Sequence, residues 1–257
     1  MPHPESLTSP LLLDLGFRHA FFTRRGGWSE GPFASLNFSE TVGDDPARVE
    51  RNLEAAAESL GVTPSRLYFC TQVHGAAVAV VGPEQSALEL RALEADAVIV
   101  GEEGAAAAVR TADCIPILLG HVPSGRVAAV HAGWRGVQAN IAAAAVGELR
   151  RAFGAGRVVA ALGPHIRFAA FEVSEDVARQ LEEASPVEGA VEWRGARPHV
   201  ELARIARAQL VAAGLAVEDV QDVGGCTVTD AGAFFSYRRD GARTGRHLHA
   251  IVARPPL

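Results

Sequence analysis

Two histidines and a cysteine, His74, Cys114 and His131, each stand beside an apolar run, and glycine lies close to both histidines. They fall in the segments Thr71-Gln72-Val73-His74-Gly75, Arg110-Thr111-Ala112-Asp113-Cys114-Ile115-Pro116 and Val130-His131-Ala132-Gly133-Trp134-Arg135-Gly136. Two imidazoles and one thiolate suit zinc and leave a fourth coordination position for water or substrate, as catalytic zinc requires. The separations are far wider than those of a finger or ribbon, so only the fold can bring the three together. The competing reading is structural. A cysteine between apolar runs packs by default as a small buried hydrophobe, and core packing is the better reading for Cys70 and Cys226. A second chemistry is open to the same residues, with Cys114 as nucleophile and His131 as its base.

Several glycine turns carry arginine. Gly133-Trp134-Arg135-Gly136 lies between an apolar run and a helix start, where free backbone N–H groups and Arg135 could meet an anion. Thr23-Arg24-Arg25-Gly26-Gly27 and Ser236-Tyr237-Arg238-Arg239-Asp240-Gly241 each place paired arginines after two phenylalanines. Adjacent arginines usually form a solvated loop, yet one of each pair could line a pocket, and arginine is the side chain suited to phosphate.

The elements that must position these residues are short. The pattern predicts a first clear helix over 46–60, with Asp45 as N-cap, Pro46 in the first turn and Gly61 at the C-terminal left-handed position. Short apolar runs at 67–71, 78–81, 97–100, 105–109, 115–119, 127–130 and 158–162 read as strands. Further strands are expected at 217–223, 234–237 and 248–252, and further helices at 136–153, 175–183 and 200–213. Several strands are consecutive and no regular βαβ rhythm emerges, which predicts an α+β fold of mixed sheets in a single domain over 1–257, with 1–15 loosely ordered.

With 257 residues, 48% of them hydrophobic and 21% charged, the chain has an ordinary globular balance and can bury a core without disulfides. Its formal net charge of −6 argues against nucleic acid as a partner, although a local arginine cluster can still hold a small anion. All 24 basic residues are arginine, which reads as codon bias. No stretch reaches the length of a membrane span, and Leu11-Leu12-Leu13 lacks the basic start of a secretory signal. Three scattered cysteines do not make a disulfide framework. A reducing cytoplasm is the expected setting.

Taken together, these segments resemble the YfiH-like family, also called laccase-domain or polyphenol-oxidase-like proteins, which is associated with purine nucleoside phosphorylase activity. The resemblance runs nearly end to end. It rests on Thr23-Arg24-Arg25-Gly26-Gly27, Ser35-Leu36-Asn37, Gln72-Val73-His74-Gly75, Ala95-Asp96-Ala97, Thr111-Ala112-Asp113-Cys114-Ile115-Pro116 and His131-Ala132-Gly133-Trp134-Arg135-Gly136. It continues through Gly163-Pro164, Phe171-Glu172-Val173, Cys226-Thr227 and Phe235-Ser236-Tyr237-Arg238-Arg239-Asp240. The resemblance implies a four-layer α/β/β/α fold and His74, Cys114 and His131 as zinc ligands. It implies phosphorolysis of adenosine-type and inosine-type nucleosides, with adenosine deamination and methylthioadenosine cleavage as related reactions. On that basis Arg24, Arg25 and Arg135 are the candidates to hold phosphate, and Gln72, Asn37 and Arg238 the candidates to contact base or sugar. The partners are then a purine nucleoside and phosphate, with the protein a monomer or homodimer. Copper is the rival metal, in a phenol oxidase. A blue-copper centre commonly adds a weak axial methionine, whereas the single methionine here is Met1 and the nine histidines offer one alternating pair, His247 and His249. A cysteine hydrolase acting on peptidoglycan precursors is the other rival.

Overall fold

Strands that are apolar at nearly every position must be covered on both faces, and this chain meets that demand by stacking two sheets between helices. The computed structural model describes residues 3–82, 84–194 and 197–257. The chain opens with β1 (Ser6–Leu7), α1 (Pro10–Asp14), β2 (His19–Phe22), α2 (Pro46–Ser59), β3 (Leu67–Tyr68) and β4 (Val78–Val80). After α3 (Ala87–Arg91) come four consecutive strands, β5 (Ala97–Val100), β6 (Ala106–Thr111), β7 (Ile115–His121) and β8 (Val127–Ala132). The second half runs α4 (Trp134–Gln138), α5 (Ile141–Phe153), β9 (Val158–Leu162), α6 (Glu175–Glu183), β10 (Val191–Arg194) and β11 (Arg197–Val200). It closes with α7 (Leu202–Ala212), β12 (Val220–Asp222), α8 (Tyr237–Asp240) and β13 (His247–Val252).

One sheet has the order β1-β2-β13-β6-β3 and the other β12-β9-β7-β8-β5-β4, with β10 and β11 forming a separate pair. Strand alternation assigns the layers. Ala107, Val109, Leu118, Ala129, Ala161 and Ile251 meet between the two sheets. Ala106, Ala108, Leu248 and Ala250 face outward against Val49, Leu53 and Ala56 of α2. Ile117, Leu119 and Val130 face outward against Val146 and Leu149 of α5 and Ile205 and Leu210 of α7. The result is the four-layer α/β/β/α sandwich, in one domain. Alanine-rich strands let the sheets approach closely, and glycine takes this furthest. A Cβ on Gly163 would lie 2.1 Å from the Phe21 ring, so no other residue fits there.

The capping chemistry of α2 is as expected. The Asp45 carboxylate accepts from the Ala47 N–H at 2.9 Å, and Gly61 has φ +65°. Elsewhere the structure corrects the pattern. The helix expected over 136–153 is two helices, because Asn140 takes a left-handed conformation (φ 58°) that breaks the run, as asparagine tolerates. Residues 234–236 are not a strand. Phe234 and Phe235 are buried as loop residues, and Ser236 caps α8 by accepting from the Arg239 N–H. Residues 217–219 form a 3₁₀ turn, leaving only 220–222 extended. Within the lead-in expected to be loosely ordered, β1 pairs with β2 and Ser9 caps α1, whose Leu12 is fully buried. Cys226 is half-buried in a loop rather than packed in a core, whereas Cys70 is buried and its thiol is pushed up to about 11, chiefly by that burial. Among the described residues no helix is long and apolar enough to cross a membrane.

Several histidines are held neutral inside this sandwich. His165 shares its Nδ1 hydrogen with the Gly163 carbonyl at 2.8 Å, and His247 Nε2 accepts from the Phe235 N–H at 2.9 Å. Burial, reinforced by nearby guanidinium charge, pulls His165 down to about 4 and His247 to about 3. In the unfolded chain both titrate near 6.5. Below that pH the unfolded state binds protons that the native state refuses, so stability falls as pH falls, by about 1.4 kcal/mol per pH unit and per histidine. The urea midpoint should therefore be highest above pH 7 and decline steadily from pH 6.5 towards 4, less steeply in His165→Gln. A midpoint that stays flat between pH 7 and 4.5 would contradict neutral burial.

Candidate metal centre

The strand register brings the three predicted ligands to one end of the sandwich. In the β5–β8 pair Ala97 lies opposite Val130, so Asp96 arrives beside His131. In the β7–β8 pair Ile115 lies opposite Ala132, which puts Cys114 next to the same strand end. His74 comes from the loop between β3 and β4. The candidate ligand atoms of His74, Cys114 and His131 all lie within 4.8 Å of one another, and the two imidazoles meet edge to face with centroids 4.8 Å apart.

The loop that delivers His74 is moulded on one buried carboxylate. Asp96 is fully buried and accepts from the backbone N–H groups of Val73 at 3.2 Å, His74 at 2.9 Å and Gly75 at 2.7 Å. The same carboxylate accepts from His131 Nδ1 at 2.7 Å. His74 has a left-handed backbone (φ 61°), the conformation that turns its neighbouring N–H groups onto one anion. Burial would raise the Asp96 carboxyl, but these hydrogen bonds and the His131 charge outweigh it and hold it below the ordinary carboxylate range. With Nδ1 donating to Asp96, His131 presents Nε2 to the cluster, which is the carboxylate–histidine arrangement that orients metal ligands.

Electrostatics prepare the donors. Burial alone would push the Cys114 thiol up, yet His131 by charge and hydrogen bond, and His74 after it, bring the thiol below its ordinary value. His131 moves the other way: burial works against its charged form, but Cys114 and Asp96 raise it. These influences favour the thiolate, the form that binds metal. Space is reserved as well. A Cβ on Gly133 would lie 3.0 Å from Cys114 Sγ and 3.0 Å from His74 Cδ2, so only glycine leaves the cluster open above. Two nitrogen donors and one sulfur donor with an open side fit a catalytic transition-metal site.

The cluster borders a cavity of about 670 Å³ whose wall includes Gln72, Asp113, Phe171, Tyr237, Arg238 and Arg246. Of the residues expected to serve the reaction, His74, His131, Gln72 and Arg238 line it directly. Gln72 uses both ends of its carboxamide on the Arg110 backbone, donating to O at 2.7 Å and accepting from N at 2.8 Å, so it braces the wall. Arg24, Arg25, Asn37 and Arg135 do not line it. The Arg24 guanidinium lies over Phe235 and donates to the Ala34 and Ala231 carbonyls. Arg25 donates to the Gly232 carbonyl and pairs with Glu5 at 3.5 Å. Asn37 is fully buried, with its amide bound to Ser39 and Asp44 and its oxygen holding the Arg246 N–H. Arg135 stacks on Trp134 with its guanidinium 4.3 Å from the ring centroid.

Sequence reasoning missed Asp96, Asp113, Arg110 and Arg246 as members of the site. The signal for Asp96 was an acid immediately ahead of an all-apolar strand. Asp113, at φ 94°, accepts from Thr227 Oγ1 at 2.5 Å and from the Arg238 N–H at 2.6 Å, tying the C-terminal loop to the ligand loop.

This two-sheet sandwich with a His/Cys/His cluster at one strand end marks a defined class of protein. A family model described as "Multi-copper polyphenol oxidoreductase laccase" matches residues 18–254, and the chain belongs to that family. It is similar to "Purine nucleoside phosphorylase ORF3" of Streptomyces griseus, 41% identical over 235 residues that cover 90% of this chain and 92% of the relative. Its fold is similar to YlmD from Geobacillus stearothermophilus, with a TM-score of 0.87, 31% identity and coverage of 96% of this chain and 94% of that one. It is also similar to the hypothetical protein YfiH of Bacillus licheniformis, with a TM-score of 0.86, 29% identity and 92% coverage of both chains. These findings match the YfiH-like resemblance read from the motifs.

Because Asp96 both fixes the His131 tautomer and shapes the His74 loop, Asp96→Asn should weaken metal binding by about 10- to 100-fold. Competition with a chromogenic zinc chelator measures this. Gly133→Ala should lose affinity too, since its methyl group crowds two ligands; unchanged affinity in both variants would break the assignment.

Proposed function

We propose that the protein is a zinc-dependent purine nucleoside phosphorylase that converts an adenosine-type or inosine-type nucleoside and phosphate into free base and ribose 1-phosphate. The observation that carries this reading is the His74/Cys114/His131 cluster at the edge of a cavity of about 670 Å³, within the usual range for a small-molecule site. The similarity to a protein named purine nucleoside phosphorylase supports it.

In phosphorolysis the bond between ribose C1′ and the purine nitrogen breaks, and its electron pair leaves with the base. A phosphate oxygen bonds to C1′, and the base takes up a proton. A bound zinc would supply Lewis-acid polarisation of an oxygen at this site. The chain's own residues do the positioning. Ile166, Phe171 and Tyr237 give the cavity an apolar and aromatic wall on which a purine can stack. Arg238 reaches across Phe171 and donates to the Glu172 carbonyl at 2.9 Å, so its guanidinium is fixed at the rim beside that wall. As positive charge builds on the ribose, an anion held nearby stabilises it. The reading extends to adenosine deamination and methylthioadenosine cleavage, the related reactions that the family resemblance implies.

Zinc is favoured over copper by the donor set. The single methionine is Met1, and the one alternating histidine pair, His247 and His249, is buried between the sheets. There His247 is bound to the Phe235 N–H and His249 to the Thr111 hydroxyl. A hydrolase would need Cys114 as a free nucleophile, which metal ligation removes. The free cysteines favour a reducing cytoplasm.

Zinc-loaded protein given adenosine and phosphate should form adenine and ribose 1-phosphate in equal amounts, and His131→Ala should lower the rate at least about 100-fold. A nucleoside panel followed by mass spectrometry that yields no phosphate-dependent product would sink the proposal. Stoichiometric copper with a thiolate charge-transfer band would favour the oxidase. Stoichiometric iodoacetamide labelling of Cys114 in metal-replete protein would favour the hydrolase.

A further inference from the structure

The cavity wall carries two guanidinium groups, of Arg110 and Arg246, to which the motifs assign no role. Arg110 lies near the end of β6 and Arg246 directly precedes β13, and the antiparallel register pairs Leu248 with Arg110. Both arginines therefore reach the same strand end. The Arg110 guanidinium lies 4.8 Å from the Phe69 ring centroid, and that of Arg91 lies 4.6 Å from the same ring. Arg110 makes one long side-chain hydrogen bond, to the Phe38 carbonyl at 3.4 Å. Arg246 spends Nη1 on the Thr244 and Gly245 carbonyls, at 2.9 and 3.1 Å. No protein acceptor meets their remaining N–H groups among the described residues.

The surrounding charge is unbalanced. Burial, with Arg91 and Arg246 nearby and only Glu40 opposing, pulls Arg110 down to about 10. Arg246 lines the same cavity as His74 and His131, and burial lowers it too. Asp113 already accepts from Thr227 and from the Arg238 N–H. Arg91 adds a buried Nε without a partner. Half-buried cations without matched acceptors are costly, and the forked donors of arginine match the oxygens of a phosphate. The hydroxyls of Ser39 and Thr41, 2.9 Å apart, line the same cavity.

We propose that Arg110 and Arg246 form a dianion clamp that holds inorganic phosphate next to the His74/Cys114/His131 cluster, with Gln72 as the residue that positions Arg110. This rests on the phosphorylase reading for the source of the dianion. The same chemistry would recognise the 5′-phosphate of a nucleotide.

The test is calorimetric titration of zinc-loaded protein with inorganic phosphate, and separately with adenosine 5′-monophosphate, at fixed ionic strength. Wild type, Arg110→Gln, Arg246→Gln and Gln72→Ala are compared, with circular dichroism melts to show that each is folded; Arg110→Lys and Arg246→Lys replace any that is not. The wild type should bind inorganic phosphate. Each arginine-to-glutamine variant should weaken that binding at least about tenfold, Gln72→Ala should weaken it less, and lysine should restore part of it. In turnover, KM for phosphate should rise while KM for nucleoside changes little. Phosphate binding that is absent in the wild type, or unchanged in both folded arginine variants, overturns the clamp. If wild-type phosphorolysis persists in that case, the proposed function stands without it. Arginine-dependent binding of the monophosphate without binding of inorganic phosphate also overturns it.

Discussion

The carboxylate of Asp96 is the interaction on which the rest of the site depends. A fully buried charge is costly unless every lone pair finds a donor, and here four donors from two separate segments converge on it. Three of them are backbone N–H groups, so the carboxylate shapes the His74 loop whatever side chains that loop carries. The fourth fixes the ring of His131. Loss of one partner from a buried arrangement of this kind costs about 3–5 kcal/mol, enough to couple ligand geometry to the stability of the strand end.

That strand end exists because the sheets approach closely. Alanines at 106, 107, 108, 128, 129, 160 and 161 are all buried, and the glycine at 163 admits the Phe21 ring. Small residues remove the side-chain bulk that would hold the layers apart, and the antiparallel neighbours β5, β8 and β7 then set Asp96, His131 and Cys114 side by side. The same register rule brings Arg110 and Arg246 together from β6 and β13 in the other sheet. The cavity thus lies where both sheets end, with His131 at the end of β8, His74 and Cys114 on connections that cross from one sheet to the other, and Arg110 and Arg246 on the sheet that holds β6 and β13.

Charge is distributed locally rather than globally. The chain as a whole is acidic, at a formal −6, yet the cavity wall concentrates arginine. Arg24 and Arg25 show what local sequence leaves undecided. Their position after Phe21-Phe22 and before two glycines looks suited to a pocket, but carbonyls of the neighbouring loop and the Phe235 ring take up the Arg24 guanidinium, and Gly232 and Glu5 take up that of Arg25. Turn chemistry fixes where such residues leave a strand, not which way their side chains turn.

The sequence by itself determined most of the element types, the caps of α2, the apolar runs that became the central strands and three residues whose chemistry suits a metal. Each of these is encoded within a few neighbouring positions, by periodicity, by a capping side chain or by donor chemistry. Only the tertiary structure decided that Asp96 orients His131, that Asp113 latches the C-terminal loop, that Gly133 leaves the cluster open, and that Arg110 and Arg246 rather than Arg24, Arg25 and Arg135 face the cavity. It also decided the breaks at Asn140 and at residues 234–236, where a left-handed backbone and a side-chain cap outweigh local apolar character. The physical reason is one of range. Strand register joins residues far apart in the chain, and a side chain's direction is set by which buried donors and acceptors it must satisfy.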